Sequence, residues 1–263
     1  MNSKKVVVIT GASRGIGRAT AEKFISHGFQ AYDLSRSGQD FEGCKHIYCD
    51  VTDYKSIEIA IAQIISESGQ IDVAISNAGM GISGSLEGHD PEHIKKQIDI
   101  NLIGSSYFAK AVLSHIRASK GRLLFMSSLA AEVPIPFQAL YSVTKAGLKS
   151  LAMALDNEIK PSGARVCAIM PGDLKTSFTA SRIKNSSEDI FYKDRVEESV
   201  SKMEKDELSG GGPEVIANKL YKLATQNNPK VISTVGLFYK SVSVLTKILP
   251  VRIKNWLIYK IYA

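Results

Sequence analysis

The sequence predicts an α/β fold, a doubly wound parallel sheet with helices on both faces, in a single domain over residues 1–263. Three observations carry this. Short apolar or β-branched runs alternate with segments of helical spacing from residue 5 to residue 235, the pattern of parallel strands joined by helical crossovers. The first run ends in a glycine-rich turn that leads straight into a helix. No shift in composition marks a second domain.

Lys5-Val-Val-Val-Ile-Thr10 suits a strand buried on both faces. Gly11-Ala-Ser-Arg-Gly-Ile-Gly17 follows, and residues 18–27 place Ala21, Phe24 and Ile25 at helical spacing. The second strand, residues 30–34, ends in Ser35-Arg36-Ser37, and a third, residues 45–51, carries Asp50 and Val51 at its end. Thr52 or Asp53 caps a helix over residues 54–68, where Ile57, Ile61, Ile64 and Ile65 share one face. Strand four, residues 71–75, runs into Ser76-Asn77-Ala78-Gly79, and residues 79–88 read as a flexible loop over a cleft. Asp90-Pro91 starts a long helix over residues 91–119 with Asn101 at mid-length. Strand five, residues 122–126, ends in Ser127-Ser128. The next helix follows Phe137-Gln-Ala-Leu140 and runs to about residue 160. Strand six, residues 165–170, ends in Pro171-Gly172; a helix starts at Pro213, and residues 230–235 form the last strand.

Gly11, Gly15 and Gly17 permit a tight turn and close backbone approach, and the following helix offers unpaired N–H groups to a phosphate. With Ser13, Arg14 and Ile16 they form a candidate dinucleotide site, spaced G-x-x-x-G-x-G rather than G-x-G-x-x-G. About 20 residues on, where an acid would grip the adenosine ribose, stands Ser35, followed by Arg36. Arg14 and Arg36 suit a 2′-phosphate by their fork of donors, so NADP(H) is expected over NAD(H). Asp33, on the same side of its strand as Ser35, argues the other way. Tyr141 and Lys145, four residues apart, share a helix face. A nearby ammonium lowers a tyrosine's pKa from about 10, so the pair can make an acid/base tyrosine.

Composition excludes several classes. The net charge of +7 lies in residues 213–263, which hold eight basic residues against one acid, Glu214. No nucleic-acid-reading motif accompanies it, so no nucleic-acid partner is expected. No uncharged apolar run approaches the roughly 18 residues of a membrane span, and the N-terminus has no signal-peptide architecture. Cys44, Cys49 and Cys167 lack metal-ligand spacing, which fits reduced thiols in a cytoplasmic protein. His89 and His93 stand four apart at a polar helix start without a third ligand, so no metal site is expected.

Taken together, Thr10-Gly-Ala-Ser-Arg-Gly-Ile-Gly17, Asp50-Val51, Asn77-Ala-Gly79, Asn101, Ser128, Tyr141-Ser-Val-Thr-Lys145 and Pro171-Gly172 with Thr176 resemble the short-chain dehydrogenase/reductase family. The match includes the 13-residue step from Ser128 to Tyr141 and covers residues 4–176 in the family's order. The resemblance implies a Rossmann-type sheet of about seven strands and an NAD(P)-dependent oxidoreductase acting on CH–OH groups. It implies Tyr141 as general acid or base, with Lys145 lowering its pKa and binding the nicotinamide ribose. Ser128 would hold the substrate oxygen, and Asn101 a relay water. Asp50 and Val51 would face the adenine, with Asn77, Ala78 and Gly79 beneath the adenosine, while Ser127 would serve packing. A homodimer or homotetramer is also expected.

Beyond Thr176 the sequence departs from the family pattern. Residues 177–212 are polar and end in Ser209-Gly-Gly-Gly-Pro213, which reads as a substrate lid. Residues 236–263 mix apolar and basic residues, with Ile253, Trp256, Leu257 and Lys260 at helical spacing. Two readings stand: a helix packed on this subunit or a sister subunit, or a basic amphipathic surface in peripheral membrane contact. The extended tail is similar to that of family members acting on steroids, retinoids or long-chain ketones. With Val133, Pro134, Ile135, Pro136 and Phe137 as an apolar wall, a bulky apolar small-molecule substrate is expected. The alternatives are a 3-oxoacyl-type reductase of a smaller substrate and a catalytically silent nucleotide-binding scaffold; the intact Asn101, Ser128, Tyr141 and Lys145 set argues against the scaffold.

Overall fold

The computed structural model describes residues 4–185 and 189–262. Seven parallel strands form one sheet: β1 (Val6–Thr10), β2 (Gln30–Ser35), β3 (Cys44–Tyr48), β4 (Val73–Ser76), β6 (Arg122–Met126), β7 (Arg165–Met170) and β9 (Ile232–Thr234). Two-residue strands β5 (Ile82–Ser83) and β8 (Ile183–Lys184) pair with each other outside it. The main sheet runs β3-β2-β1-β4-β6-β7-β9, so strand order reverses between β1 and β4 and leaves a crevice at their C-terminal ends.

Both faces are covered. On one, α2 (Tyr54–Ser68), α4 (Gly104–Ala118) and α5 (Ala139–Ile159) pack Ile61, Phe108 and Leu155 against Val6, Val8 and Phe125. On the other, α1 (Gly15–Ile25) and α8 (Pro213–Thr225) pack Phe24 and Leu220 against Val7 and Ile9. Hence β1 reads as an unbroken β-branched run: neither side of it meets water. This is the Rossmann-like α/β architecture expected from the alternation.

Details differ from expectation where backbone chemistry intervenes. The first helix begins at Gly15, not residue 18, because the glycine turn forms its opening turn. Asp53, not Thr52, caps α2 by accepting the Lys55 N–H at 2.9 Å. The single helix expected over residues 91–119 is α3 (Pro91–Ile98), a π-helical turn at Asp99–Ile103, and then α4. Such a turn marks functional positions in many helices, and this one contains Asn101. The loop at 79–88 contains buried Ile82 and Ser83, tied by Ile183 N–H to the Gly81 carbonyl at 3.1 Å.

The 177–212 segment contributes α6 (Ser177–Ser181), β8 and α7 (Lys193–Ser209); residues 186–188 of the expected lid lie outside the described residues. The tail forms α9 (Leu237–Ile248) and α10 (Val251–Tyr262), separated at Leu249-Pro250. Val196, Val200 and Met203 of α7 pack with Ile135, Phe137, Tyr192 and Tyr262 as a small separate cluster. Among the described residues no helix is long and apolar enough to cross a membrane.

One buried ion pair ties α5 to β7. Asp156 accepts Arg165 Nε at 2.8 Å and the Val166 N–H at 2.9 Å. Burial opposes its ionisation, but the bonds from Arg165 and Val166 win and its pKa is lowered. A depressed carboxylate pKa stabilises the fold at neutral pH, and that contribution is lost as pH falls through the folded value. Asp156→Ala leaves the guanidinium and N–H without their partner, at about 3 kcal/mol. We expect a Tm lower by roughly 6–12 °C at pH 7, with the gap to the parent narrowing in acid, as read by thermal melts.

Candidate active site

A cleft of about 840 Å³ opens beyond the C-terminal ends of β1, β4, β6 and β7. Its nucleotide half is built on the glycine turn. Gly11 and Gly15 hold φ of 70° and 57°, and a Cβ on Gly17 would stand 2.2 Å from the Gly11 carbonyl oxygen. Only glycine lets the chain close this tightly. Thr10 Oγ1 accepts the N–H groups of Asn77 and Ala78 at 2.9 and 3.0 Å. Asn77 Nδ2 donates to the Thr10 and Gly11 carbonyls, both at 3.0 Å. Asn77 therefore uses its side chain to brace the turn, while Ala78 and Gly79 line the cleft.

Asp33 is another brace. Its carboxylate accepts the Ala12 N–H at 2.7 Å and the Ser35 hydroxyl at 2.8 Å. Burial raises its pKa against those two bonds. The cleft wall at this level is Leu34, Ser35 and Arg36, and Asp33 is not part of it. Arg14 and Arg36 are exposed at the rim. Asp50 accepts the N–H and hydroxyl of Thr52 at 2.9 and 2.8 Å; burial opposes ionisation, but these bonds and Arg36 hold its pKa below the usual range. Every residue expected at the cofactor lines this cleft except Gly17, which is buried beneath it: Ser13, Ile16, Val51, Pro171, Gly172 and Thr176 are all in the wall. A glycine-rich turn, a helix N-terminus and two flanking guanidinium groups fit the phosphates of a dinucleotide.

The chemical half lies where α5 begins. Tyr141 and Lys145 are one turn apart on α5, and the Ser128 side chain lies close enough to the Tyr141 phenol to oppose the rise of its pKa. Ser128 also caps the short turn at Leu129–Ala131 by accepting the Ala130 N–H at 3.1 Å. Buried Lys145 donates from Nζ to the Met126 carbonyl at 2.7 Å, with Nζ 5.4 Å from the Tyr141 ring centroid. Ser127 Oγ donates to the Lys145 carbonyl at 2.7 Å and so locks α5 to the end of β6. Its role is packing, as expected.

The electrostatics correct one expectation. Burial pushes the Tyr141 phenol up to about 12, with Ser128 opposing, Glu207 adding to the rise and Arg182 opposing it. Burial also brings Lys145 down to about 8. Desolvation outweighs attraction here, so the protein alone holds Tyr141 protonated, the form that donates. Asn101 is fully buried and clamps the following loop: Oδ1 accepts the Met80 N–H at 2.8 Å, and Nδ2 donates to the Met80 carbonyl at 2.9 Å and to Thr144 Oγ1 at 3.2 Å.

The substrate side is built from residues that no motif marked. Phe178 of α6 lies 5.8 Å, centroid to centroid, from Tyr141, in space that Gly81 leaves open. Buried Arg182 pairs with Glu207 of α7, which also accepts the Thr179 hydroxyl at 2.6 Å. Val133 and Ile135 line the cleft as expected, whereas Phe137 packs in the cluster with α7. Phe238, Tyr239 and Val242 of α9 and Ile261 and Tyr262 of α10 complete the wall. The C-terminal helices therefore pack on their own subunit over the cleft while leaving much apolar surface exposed.

A family model described as short chain dehydrogenase matches residues 5–187. The chain belongs to the short-chain dehydrogenase/reductase family. This short-chain dehydrogenase/reductase is accordingly an NAD(P)-dependent oxidoreductase acting on CH–OH groups. It is 34% identical over 259 residues to a 3-ketodihydrosphingosine reductase of Bacteroides thetaiotaomicron, covering 96% of this chain and 93% of that one. It is 35% identical over 198 residues to a 3-dehydrosphinganine reductase of Arabidopsis thaliana, covering 69% of this chain and 59% of that one. A short-chain dehydrogenase from Streptomyces avermitilis has the same fold, with TM-score 0.82 at 23% identity and 94% of each chain covered.

Lys145 carries its charge below about pH 8 and loses it above, while the phenol at about 12 stays protonated throughout that range. We expect kcat/KM for carbonyl reduction to be level below pH 8 and to fall above it. Lys145→Arg, less active overall, should lack that limb up to pH 10 because guanidinium keeps its proton. An identical limb in both proteins would assign it elsewhere.

Proposed function

We propose that this enzyme uses NADPH to reduce the ketone of a long-chain lipid to the secondary alcohol. The observation that carries the reading is the substrate-side wall: α9 and α10 add Phe238, Val242 and Ile261 to Val133 and Ile135, an apolar wall that suits a hydrocarbon chain. Two relatives whose names are keto-lipid reductases support it.

Bound in the cleft, the dinucleotide supplies a hydride at its nicotinamide ring. Ser128 hydrogen-bonds the carbonyl oxygen, and Tyr141 donates its phenolic proton as that oxygen gains charge. Lys145, held by Met126, places its ammonium beside the ring of Tyr141 and stabilises the phenolate left behind. Arg14 and Arg36 take the 2′-phosphate, an assignment supported by their exposure at the rim and by the withdrawal of Asp33 into the turn. Residues 177–212 cover the substrate through Phe178 and Glu207.

The tail also docks the enzyme on an anionic membrane. Residues 236–263 carry five basic residues and no acid. Leu237, Ile248 and Trp256 are 82%, 74% and 58% exposed, so the tail carries exposed apolar groups interspersed with cationic ones, the combination that binds such interfaces.

Tyr141→Phe should lower kcat at least about 100-fold while NADPH binding, followed by fluorescence, stays within a few-fold; retained turnover sinks the mechanism. Arg36→Asp should raise the NADPH KM at least ten-fold with little effect on NADH, and equal effects on both would refute the phosphate assignment. In sedimentation with phosphatidylserine vesicles, the protein should pellet at low salt, and Ile248→Glu with Trp256→Glu should weaken this several-fold. Absence of pelleting by the parent returns the tail to packing alone.

A further inference from the structure

The reacting end of the cleft borders an acidic and aromatic corner that the proposed reaction leaves unused. Asp173 follows Pro171-Gly172 beyond β7 and lines the cleft with Tyr239, Tyr262 and Glu207. The wall contributed by residues 171–174 and by α7, α9 and α10 brings two carboxylates to the cleft and no cation. Glu207 is already held by Arg182 and Thr179. Asp173 is different: its Oδ2 accepts a neutral donor, the Tyr239 hydroxyl, at 2.8 Å. Lys202, a cation in its field, is engaged by Asp206 at 3.1 Å. Burial raises the Asp173 pKa, Tyr239 opposes the rise, and Asp206 and Glu207 add to it. A positive group arriving from the cleft would relieve that cost.

The surroundings suit one kind of cation. The Tyr239 ring closes on Gly172, where a Cβ would stand 2.4 Å from it, so the ring sits against the backbone that carries Asp173. Tyr262 approaches the same carboxylate closely enough for Asp173 to raise its pKa. A carboxylate flanked by aromatic rings recognises an alkylammonium by charge and by the ring faces together. The corner is also near the chemistry, since Glu207 lies in the fields of both Tyr141 and Asp173.

We propose that Asp173, with Tyr239 and Tyr262, binds a protonated amine carried by the substrate close to its carbonyl, so that the preferred substrate is a long-chain amino ketone. The inference rests on the reading of the cleft as a keto-lipid site and adds the group that selects among keto lipids. Asp173 orients the substrate; Tyr141 and Ser128 act on its oxygen.

The test compares three ketones of equal chain length in mixed micelles with NADPH and the full chain: a 2-amino-3-ketone, its N-acetyl derivative and the 3-ketone without nitrogen. The parent enzyme should favour the free amine over both others at least ten-fold in kcat/KM. Asp173→Asn should cut that ratio at least ten-fold, mainly through KM, with NADPH fluorescence reporting an intact nucleotide half. Tyr239→Phe, which keeps the ring, should cut it less. Equal use of charged and uncharged ketones by the parent, or an unchanged ratio in Asp173→Asn, overturns the proposal while leaving the keto-lipid reading in place. If none of the three is reduced, the keto-lipid reading fails and this proposal with it.

Discussion

The site depends on the hydrogen bonds that join the ends of β1 and β4. At this point strand order reverses, and the β1–β4 ladder ends at Ile9 and Ile75, so the chain beyond it needs a further constraint. Thr10 and Asn77 supply that constraint through four bonds between 2.9 and 3.0 Å. One side of the crevice becomes the glycine turn, the other the Ala78-Gly79 floor. From there Asn101 fixes Met80, Gly81 leaves room for Phe178, and Phe178 packs beside Tyr141. The nucleotide half and the substrate half are thus positioned from one clamp.

Around Tyr141, low polarity does two things at once. It keeps the phenol protonated and makes the neighbouring ammonium easier to neutralise. Both shifts arise because charge is poorly solvated there: the phenol keeps its proton, and the ammonium gives up its own more easily. The Met126 carbonyl and Ser127 hydroxyl, which tie Lys145 and its backbone to β6, keep this geometry independent of the mobile side chains of a substrate.

The seven strands were legible because each is a short apolar run ended by turn chemistry, and a strand buried on both faces needs little else. Tyr141 and Lys145 stood out by their spacing, and Ser128 through the family resemblance. Other features leave no local trace. The π turn at Asn101 looks helical in any periodicity. Asp33 stands two positions before the place of a ribose-binding acid, and its carboxylate accepts the Ala12 N–H of the turn. Lys145 lies one turn from Tyr141, but spacing says nothing of how dry the pair is. Arg182 and Glu207 meet across 25 residues, and Asp173 meets Tyr239 across 66; such pairs exist only once the fold has formed. Polarity from residue 177 onward suggested a cover; most of its charges face solvent, and the Arg182–Glu207 pair is turned inward.

Asp33 and Arg36 sit three positions apart but answer to different demands. The carboxylate serves the shape of the turn, whereas the guanidinium faces the rim and bears on no packed element. Position 36 can therefore change without disturbing a packed element, whereas Ser35 is buried and donates to Asp33. A change at position 35 or 33 would first loosen the loop after β1 on which the whole crevice is built.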